Sequence, residues 1–412
     1  MTKILFLFTG NYPYSNGETF IENEISILSA AFDRIVIISN NLTGEQTRIV
    51  PANTTLERMP YELSAIQKVY SLGGLLTATV WKELILIRNY YKLALTKLIV
   101  NTVLQSYYKS HLFKRRIGAL INSYVAEADE VFLYGYWSND IALGIARLQP
   151  SKRISQRICR AHGWDVYFEA NEAQYLPFRK YLLDKIDRQL FISDAGKDYY
   201  LRLFPHLKHK MAVARLGVNA QSRHSPDTSR ERFVVVTCSN IIAIKRVHLV
   251  VEALSLIDTE QVEWHHFGDG PLSTSVAESC AKLLSNRANI VYKMHGQVTN
   301  QAFLYFITHN PVHVFVNVSS SEGIPVSIME AMSAGIPCVA TAVGGTPELV
   351  NNNNGILLEQ NPQAQDITNA LMTVIALSEK EYSSMKQKAF EMWENTYNAD
   401  KNYRQFVQEY LN

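Results

Sequence analysis

The sequence predicts an α/β protein built from two parallel-sheet domains, and three observations predict it. At 412 residues the chain exceeds what one hydrophobic core ordinarily serves. Short apolar runs alternate with helix-length amphipathic segments, the order that winds parallel strands. A polar, Pro-containing stretch, NAQSRHSPDTSRER at Asn219–Arg232, interrupts that alternation near the middle. The expected domains are residues 1–220 and 230–395, followed by a terminal helix over 396–412.

The elements follow in order. Ile4–Thr9, Arg34–Ser39, Val131–Tyr134, Arg157–Ala161 and Gln189–Ile192 are expected strands of the first domain. Phe233–Thr237, Glu263–Phe267, Asn289–Tyr292, His313–Val316 and Cys338–Thr341 are those of the second. Most are β-branched or aromatic runs, as strands covered on both faces require. Glu18–Ala30, Asp194–Leu203, Arg246–Ile257, Gln301–Thr308 and Pro325–Ala334 are expected helices.

Composition excludes several classes. Forty basic residues face 38 acidic ones, a net charge of +2, which disfavours a general nucleic-acid binder. Cys159, Cys238, Cys280 and Cys338 are scattered without a CxxC pair, so neither a zinc site nor a disulfide framework is expected. They suit buried apolar positions in a reducing, cytoplasmic compartment. The opening MTKILFLFTG lacks a cleavage site and suits a first buried strand better than a signal peptide. No stretch approaches the roughly 20 apolar residues of a membrane span.

One region departs from the alternation. Residues 66–120 carry nine basic residues against the single acid Glu83, with Trp81, Tyr90, Tyr91, Tyr107, Tyr108 and Phe113 interleaved. Such a segment fits an anionic membrane surface. The alternative is a pair of ordinary helices with a solvated basic face.

The chemistry concentrates in SSSEGIPVSIMEAMSAGIPCVATAVGG, from Ser319 to Gly345. A strand ends near Val318, a small polar loop follows, and Pro325 suits a helix start. Free amides at a helix start hold phosphate. Glu322 lies in the loop and Glu330 about two turns on. Two carboxylates so spaced address separated hydroxyl groups of one extended ligand, such as two sugars joined by a pyrophosphate. Glu330 stands among Val326, Ile328, Met329, Ala331 and Met332, which leaves little polar face to explain it. Gly344 and Gly345 form a second turn suited to phosphate. FGDGP, Phe267–Pro271, begins a G-x-G-x-x-G pattern at Gly268 and Gly270, but Pro271 and Ser273 depart from it, which disfavours a nicotinamide enzyme.

EGIPVSIME followed by AGIPCVATAVGGTPE resembles the E-x7-E signature of family 4 retaining glycosyltransferases of GT-B fold. FGDGP, IKRVHLVVEAL at Ile244–Leu254, RAHGWDVY at Arg160–Tyr167, FISDAGKDYY at Phe191–Tyr200 and YPYSNGETFIENEISIL at Tyr12–Leu28 resemble further stretches of that family in order and spacing. The resemblance implies two Rossmann-like domains facing a central cleft, the helix 396–412 returning to the first, and a nucleotide sugar held mainly by the second. Glu330 would hold ribose hydroxyls, and Glu322 hydroxyls of the donor sugar. Amides around Ile324 and Val326 would meet the sugar and phosphate. Gly17 would approach the pyrophosphate, with Gly268 and Gly270 donor-side. Lys245 would neutralise the departing diphosphate. Where the family pairs that lysine with an arginine, this chain has Asn240 and Ser239, and Arg246 is the candidate substitute. His162 would stabilise charge near the anomeric carbon. Glu18, Thr19, Tyr136 and Trp137 are acceptor-side candidates, although aromatic residues after a strand are more often packing.

The reaction so implied is retaining glycosyl transfer to a polysaccharide or lipid-linked glycan, with no metal and no other cofactor. A sugar-nucleotide epimerase, a phosphorylase, and a non-catalytic nucleotide-sugar-binding protein are the alternatives the same fold allows.

Overall fold

The computed structural model describes residues 2–15, 17–126, 129–221 and 231–412. Residues 222–230, most of the expected linker, lie outside the described residues. The chain divides into two compact units, one of Met1–Ala214 with Tyr403–Asn412 and one of Arg215–Asn402.

The first unit carries seven parallel strands: β1 (Lys3–Thr9), β2 (Arg34–Ser39), β3 (Thr54–Arg58), β4 (Glu130–Gly135), β5 (Ile154–Ala161), β6 (Arg188–Phe191) and β7 (Met211–Val213), in the order β3-β2-β1-β4-β5-β6-β7. Pairing such as Leu5↔Ile35 and Leu5↔Phe132 puts like residues on one face. Because side chains alternate across a strand, Leu5, Leu7, Ile35, Ile37 and Phe132 form one core layer. Ile4, Phe6, Phe8, Val36 and Leu133 form the opposite one. The first layer is covered by the helix Ile21–Ala31 and by Phe406, Val407 and Leu411 of the C-terminal segment. There Arg160 donates from Nη1 to Oε2 of Glu24 at 2.8 Å, both fully buried, with the guanidinium 4.3 Å from the Phe406 ring. Removing either partner would leave a buried charge unpaired, which costs about 3–5 kcal/mol.

The second unit has six parallel strands: β8 (Phe233–Cys238), β9 (Val262–Phe267), β10 (Ile290–Met294), β11 (Val314–Asn317), β12 (Cys338–Thr341) and β13 (Gly355–Leu358), ordered β10-β9-β8-β11-β12-β13. Val235, Trp264, Val316 and Val339 meet the helices Val247–Ser255 and Ala364–Ile375 in its core. All ten expected strands are present. The three that were not expected, β3, β7 and β13, are sheet edges. An edge strand is half-paired and short, so it needs no long apolar run; TTLER and MAV show none.

The basic-aromatic region folds as helices Ala65–Ser71, Ala78–Asn89 and Lys97–Tyr124. The long helix is largely structural, burying Ile99, Val103, Phe113 and Ile117 together with Lys109. The stretch before it differs. Ile66, Val69, Tyr70, Trp81 and Ile85 are exposed, and Leu76 is 91% exposed. Lys68, Lys82, Arg88, Lys92 and Lys97 are exposed among them. Among the described residues no helix is long and apolar enough to cross a membrane.

Candidate active site

Parallel sheets place ligands where the strand order reverses, because the two loops leaving that point diverge to opposite faces and open a crevice. In the second unit this point lies between β8 and β11. The loop after β8 runs to a single turn of 3₁₀ helix, Ala243–Lys245, and the loop after β11 is Val318–Pro325. They meet: Ser320 donates its amide to Ile244 O at 2.7 Å. Lys245 Nζ then reaches Glu322 Oε1 at 2.6 Å, both side chains partly open to solvent. Asn317, the last residue of β11, donates to the same Oε1 at 3.3 Å. Thr237, Cys238, Ser239, Asn317 and Ser319 line a small depression beside Lys245.

The loop of Glu322 is held from the other side too. Thr341 Oγ1 donates to Ser319 O at 2.5 Å, and Gly345 N to Gly323 O at 2.9 Å. Gly344 has φ +51° and sits so close that a Cβ would lie 1.7 Å from Glu322 O. Only glycine fits both demands. The helix Val326–Ser333 that follows has no side-chain cap; the Ile328 amide turns back to Pro325 O at 3.2 Å, and the Val326 and Ser327 amides have no partner among the described residues. Ile324 is buried and Val326 half-buried at that end.

Glu330 lies on this helix, buried. Burial pushes its carboxyl up to about 7, against a lowering by Asn300, whose Nδ2 donates to Oε1 at 2.7 Å. Asn300 and Asn317 escaped the sequence reading. An asparagine at a helix start or strand end carries no signal of the carboxylate it will serve.

Two groups of residues are placed differently from their expected roles. Arg246 takes the left-handed conformation, φ +48°, and spends its guanidinium on protein. Nε donates to Val318 O at 2.6 Å, Nη2 to Ser319 O at 2.8 Å and Gln360 O at 2.9 Å, and Nη1 to Asn361 Oδ1 at 3.2 Å. It braces the Glu322 loop, so Lys245 stands without Arg246 as a second free cation. Gly268 and Gly270 are glycines for packing: a Cβ would lie 1.9 Å from Ser239 O and 2.5 Å from Ile241 O. They let the loop after β9 run against the loop after β8.

The first unit reverses its order between β1 and β4, and the loops there gather Gly17, Glu18, Thr19, Tyr136, Trp137 and His162. Glu18 is saturated. Its oxygens accept from the amides of Gly10, Asn11 and Tyr12 at 2.8, 2.6 and 2.6 Å, and from Trp137 Nε1. It organises the glycine loop, where half-buried Gly17 packs against Asn11. Thr19 begins the turn into the helix Ile21–Ala31, its carbonyl accepting from Glu22 N at 3.1 Å. Tyr136 is fully buried and stacks on Phe20, leaving no face for a sugar. His162 is buried with its ring 4.9 Å from Tyr136 and 4.4 Å from Trp137. Neither ring nitrogen has a hydrogen-bond partner among the described residues, and Nδ1 is 4.0 Å from Asp165 Oδ2. Asp165 accepts from the amides of His162 and Ser138 at 2.7 and 2.8 Å. Burial alone would raise its carboxyl, but the His162 imidazole and these amides outweigh that and hold it below the usual range. Among the described residues no group of three or more His, Cys, Asp or Glu is arranged to hold a metal ion.

Known proteins resemble this chain in sequence over part of its length and in fold over nearly all of it. Residues 232–376 match the family model described as Glycosyl transferases group 1. A putative colanic acid biosynthesis glycosyltransferase of Escherichia coli (strain K12) is 26% identical over 249 residues, 58% of this chain and 59% of that protein. An O-antigen biosynthesis glycosyltransferase of Escherichia coli is 34% identical over 115 residues, 28% of this chain and 30% of that protein. The chain spans about half the length of the curated relatives it matches. Among solved structures, an Anabaena protein in complex with UDP and glucose has TM-score 0.64 at 16% identity, covering 99% of each chain. Sucrose-phosphate synthase from Thermosynechococcus elongatus has TM-score 0.71 at 15% identity, covering 99% of this chain and 98% of its own. The structural likenesses show the fold, α/β with two parallel sheets, shared with GT-B proteins. In sequence, the glycosyltransferase resemblance read from the motifs is supported by the family match over residues 232–376 and by these relatives.

Proposed function

We propose that this chain is a retaining glycosyltransferase of polysaccharide biosynthesis, moving a sugar from a UDP- or GDP-linked donor to a polysaccharide or lipid-linked glycan. The observation that carries the reading is the Lys245–Glu322 pair at the strand-order reversal of the second unit, 2.6 Å apart. A cation and a carboxylate held side by side suit a ligand whose phosphate and hydroxyl groups are also side by side, as they are in a nucleotide sugar. The Anabaena relative in fold binds UDP, and the two Escherichia coli relatives are named for polysaccharide synthesis, which supports the same assignment.

In this reading Lys245 faces the diphosphate. As the anomeric C–O bond breaks, negative charge gathers on the leaving oxygen, and a preplaced ammonium stabilises that charge more than the ground state. Glu322 accepts from the donor sugar's hydroxyls and so fixes the anomeric carbon. The amides at Ile324 and Val326 donate to the sugar and phosphate. Glu330, one oxygen held by Asn300, offers the other to the ribose diol. The acceptor hydroxyl bonds to the anomeric carbon from the face the diphosphate leaves, and the departing oxygen takes its proton. This retains configuration without a protein nucleophile. His162, neither of whose ring nitrogens is hydrogen-bonded among the described residues, is the residue of the first unit we assign to the reacting sugar. No metal enters the scheme, since Lys245 supplies the positive charge.

The exposed apolar and basic side chains between Ile66 and Leu98 suit adsorption to an anionic membrane surface, which would place the enzyme at the cytoplasmic face, near a lipid-linked acceptor.

The test is nucleotide release from a panel of UDP- and GDP-sugars, with and without membrane extract. Transfer predicts acceptor-dependent release. Glu322→Gln and Lys245→Met are expected to lower kcat by about 100-fold or more, whereas Glu330→Ala weakens nucleotide binding. An isomerised donor, or tight binding without turnover, would overturn the transferase reading in favour of an epimerase or a sensor.

A further inference from the structure

The first unit holds a cavity of about 320 Å³ between the long helix Lys97–Tyr124 and the segment Asn171–Arg179. That is within the range of small-ligand sites, roughly 300–1,000 Å³. Its wall contains one anomaly. Arg179 is only 4% exposed, yet its Nε has no hydrogen-bond partner and its guanidinium no carboxylate in ion-pair range among the described residues. Apart from its attraction to Glu83, this cation has no counter-charge, and an anion in the cavity would supply one.

The other charges nearby are already matched. Lys109 Nζ lies 3.8 Å from both Asp140 Oδ2 and Glu62 Oε2. Asp140 also accepts from Ser106 Oγ at 2.5 Å and Tyr61 OH at 3.2 Å. Glu83, the buried acid nearest in kind, has Oε1 occupied by Tyr175 OH and the Phe178 amide. Burial raises its carboxyl above the ordinary range even though those bonds and Arg179 pull it down. Glu172 lies exposed in the wall. Two cations, Lys109 and Arg179, thus face two carboxylates, Asp140 and Glu172, in the wall, and of these four Arg179 is the buried one without an ion pair among the described residues.

The remaining wall suits a polyol. Asn101 and Gln105, one helical turn apart and so on one face, line the cavity with amides that have no partner among the described residues. Trp164, 45% exposed, supplies a flat apolar face. Its ring is 5.5 Å from Trp137, which is itself 4.4 Å from His162. The cavity thus adjoins the His162 cluster through two tryptophans.

We propose that this cavity binds an acidic sugar residue of the acceptor glycan, its oxyanion on Arg179, its hydroxyls on Asn101 and Gln105, and its ring against Trp164. The word acceptor rests on the transferase reading; the binding site does not. The oxyanion is a carboxylate or a phosphate ester, and the experiment separates them.

Ligand-observed NMR on the full chain, without donor, compares methyl glucuronide, glucose 6-phosphate, methyl glucoside and inorganic phosphate. One anionic sugar is expected to bind at least tenfold tighter than methyl glucoside, and its identity names the oxyanion. Arg179→Gln removes that preference, and Trp164→Ala weakens every sugar. Thermal unfolding accompanies both. Arg179→Gln also removes the attraction that lowers the Glu83 carboxyl, so its melting temperature falls slightly and the loss of preference for the anionic sugar is the deciding readout. If that variant fails to fold, Trp164→Ala, at an exposed site, decides alone. Equal binding of charged and neutral sugars, inorganic phosphate binding as tightly as either anionic sugar, or affinities untouched by Trp164→Ala would overturn the proposal. Acceptor-dependent transfer without such binding would remove this inference alone, and binding without transfer would remove only the transferase reading.

Discussion

Glu330→Gln isolates the cost of keeping an ionisable group inside the second unit. The substitution preserves shape and leaves an oxygen to accept from Asn300, so only the titration is lost. In the folded chain the Glu330 carboxyl is pushed from its ordinary 4.5 up to about 7 by burial. The folded value is raised, so the stability it contributes is fully present below about pH 4.5 and is lost as pH rises through 7. Integrating between those values gives about 1 kcal/mol lost at pH 5 and about 3 kcal/mol at pH 8. Relative to the glutamine variant, the wild type should therefore lose about 2–3 kcal/mol between pH 5 and pH 8. Urea unfolding of both proteins across this range, read as the difference between them, cancels every other titrating group. A difference that stays constant to within about 0.5 kcal/mol would refute the reasoning and show that the carboxyl reaches water. The same argument predicts that nucleotide binding strengthens as pH rises through 7, because the ribose diol donates to the carboxylate and not to the neutral acid.

Two further outcomes follow from packing and surface. Gly344→Ala forces a Cβ to within 1.7 Å of Glu322 O at φ +51°, so the two loops must part; a loss of about 1–3 kcal/mol, with a fall in kcat, is expected from denaturation and turnover assays, and unchanged values of both would mean that Glu322 needs no such support. Leu76→Glu, at a side chain 91% exposed, leaves the fold intact but weakens sedimentation with vesicles of anionic phospholipid at low salt; equal sedimentation of variant and wild type, or no sedimentation of either, counts against the membrane assignment.

Much of the architecture was legible because it rests on local chemistry. A strand covered on both faces must be apolar throughout, and β1, β2, β8 and β12 show that run directly. The edge strands β3 and β7 were not legible, since pairing on one side frees them from that demand. The helix Lys97–Tyr124 shows the converse limit. Its lysines and arginines read as a basic surface, but a helix so long can bury Ile99, Val103 and Phe113 along one stripe and leave charges along another. The site divides the same way. Glu322, Glu330 and Lys245 could be picked out by carboxylates in apolar company and a cation at a helix start. The roles of Glu18 and Arg246 could not, because a loop-bracing carboxylate and a ligand-facing one look alike until their hydrogen bonds are known.

By itself, then, the order of residues determined which segments become strands, where loops leave them, and which loops hold glycine and acid. It did so through side-chain alternation, β-branching and turn chemistry, all of which act over a few residues. Tertiary structure alone decided that Lys245 and Glu322, 77 positions apart, form a pair, that Arg246 turns inward to carbonyls, and that Arg179 is buried with no ion pair among the described residues. Those outcomes depend on β8 lying beside β11 and on how long helices cover a sheet, and neither is encoded in any short window of sequence.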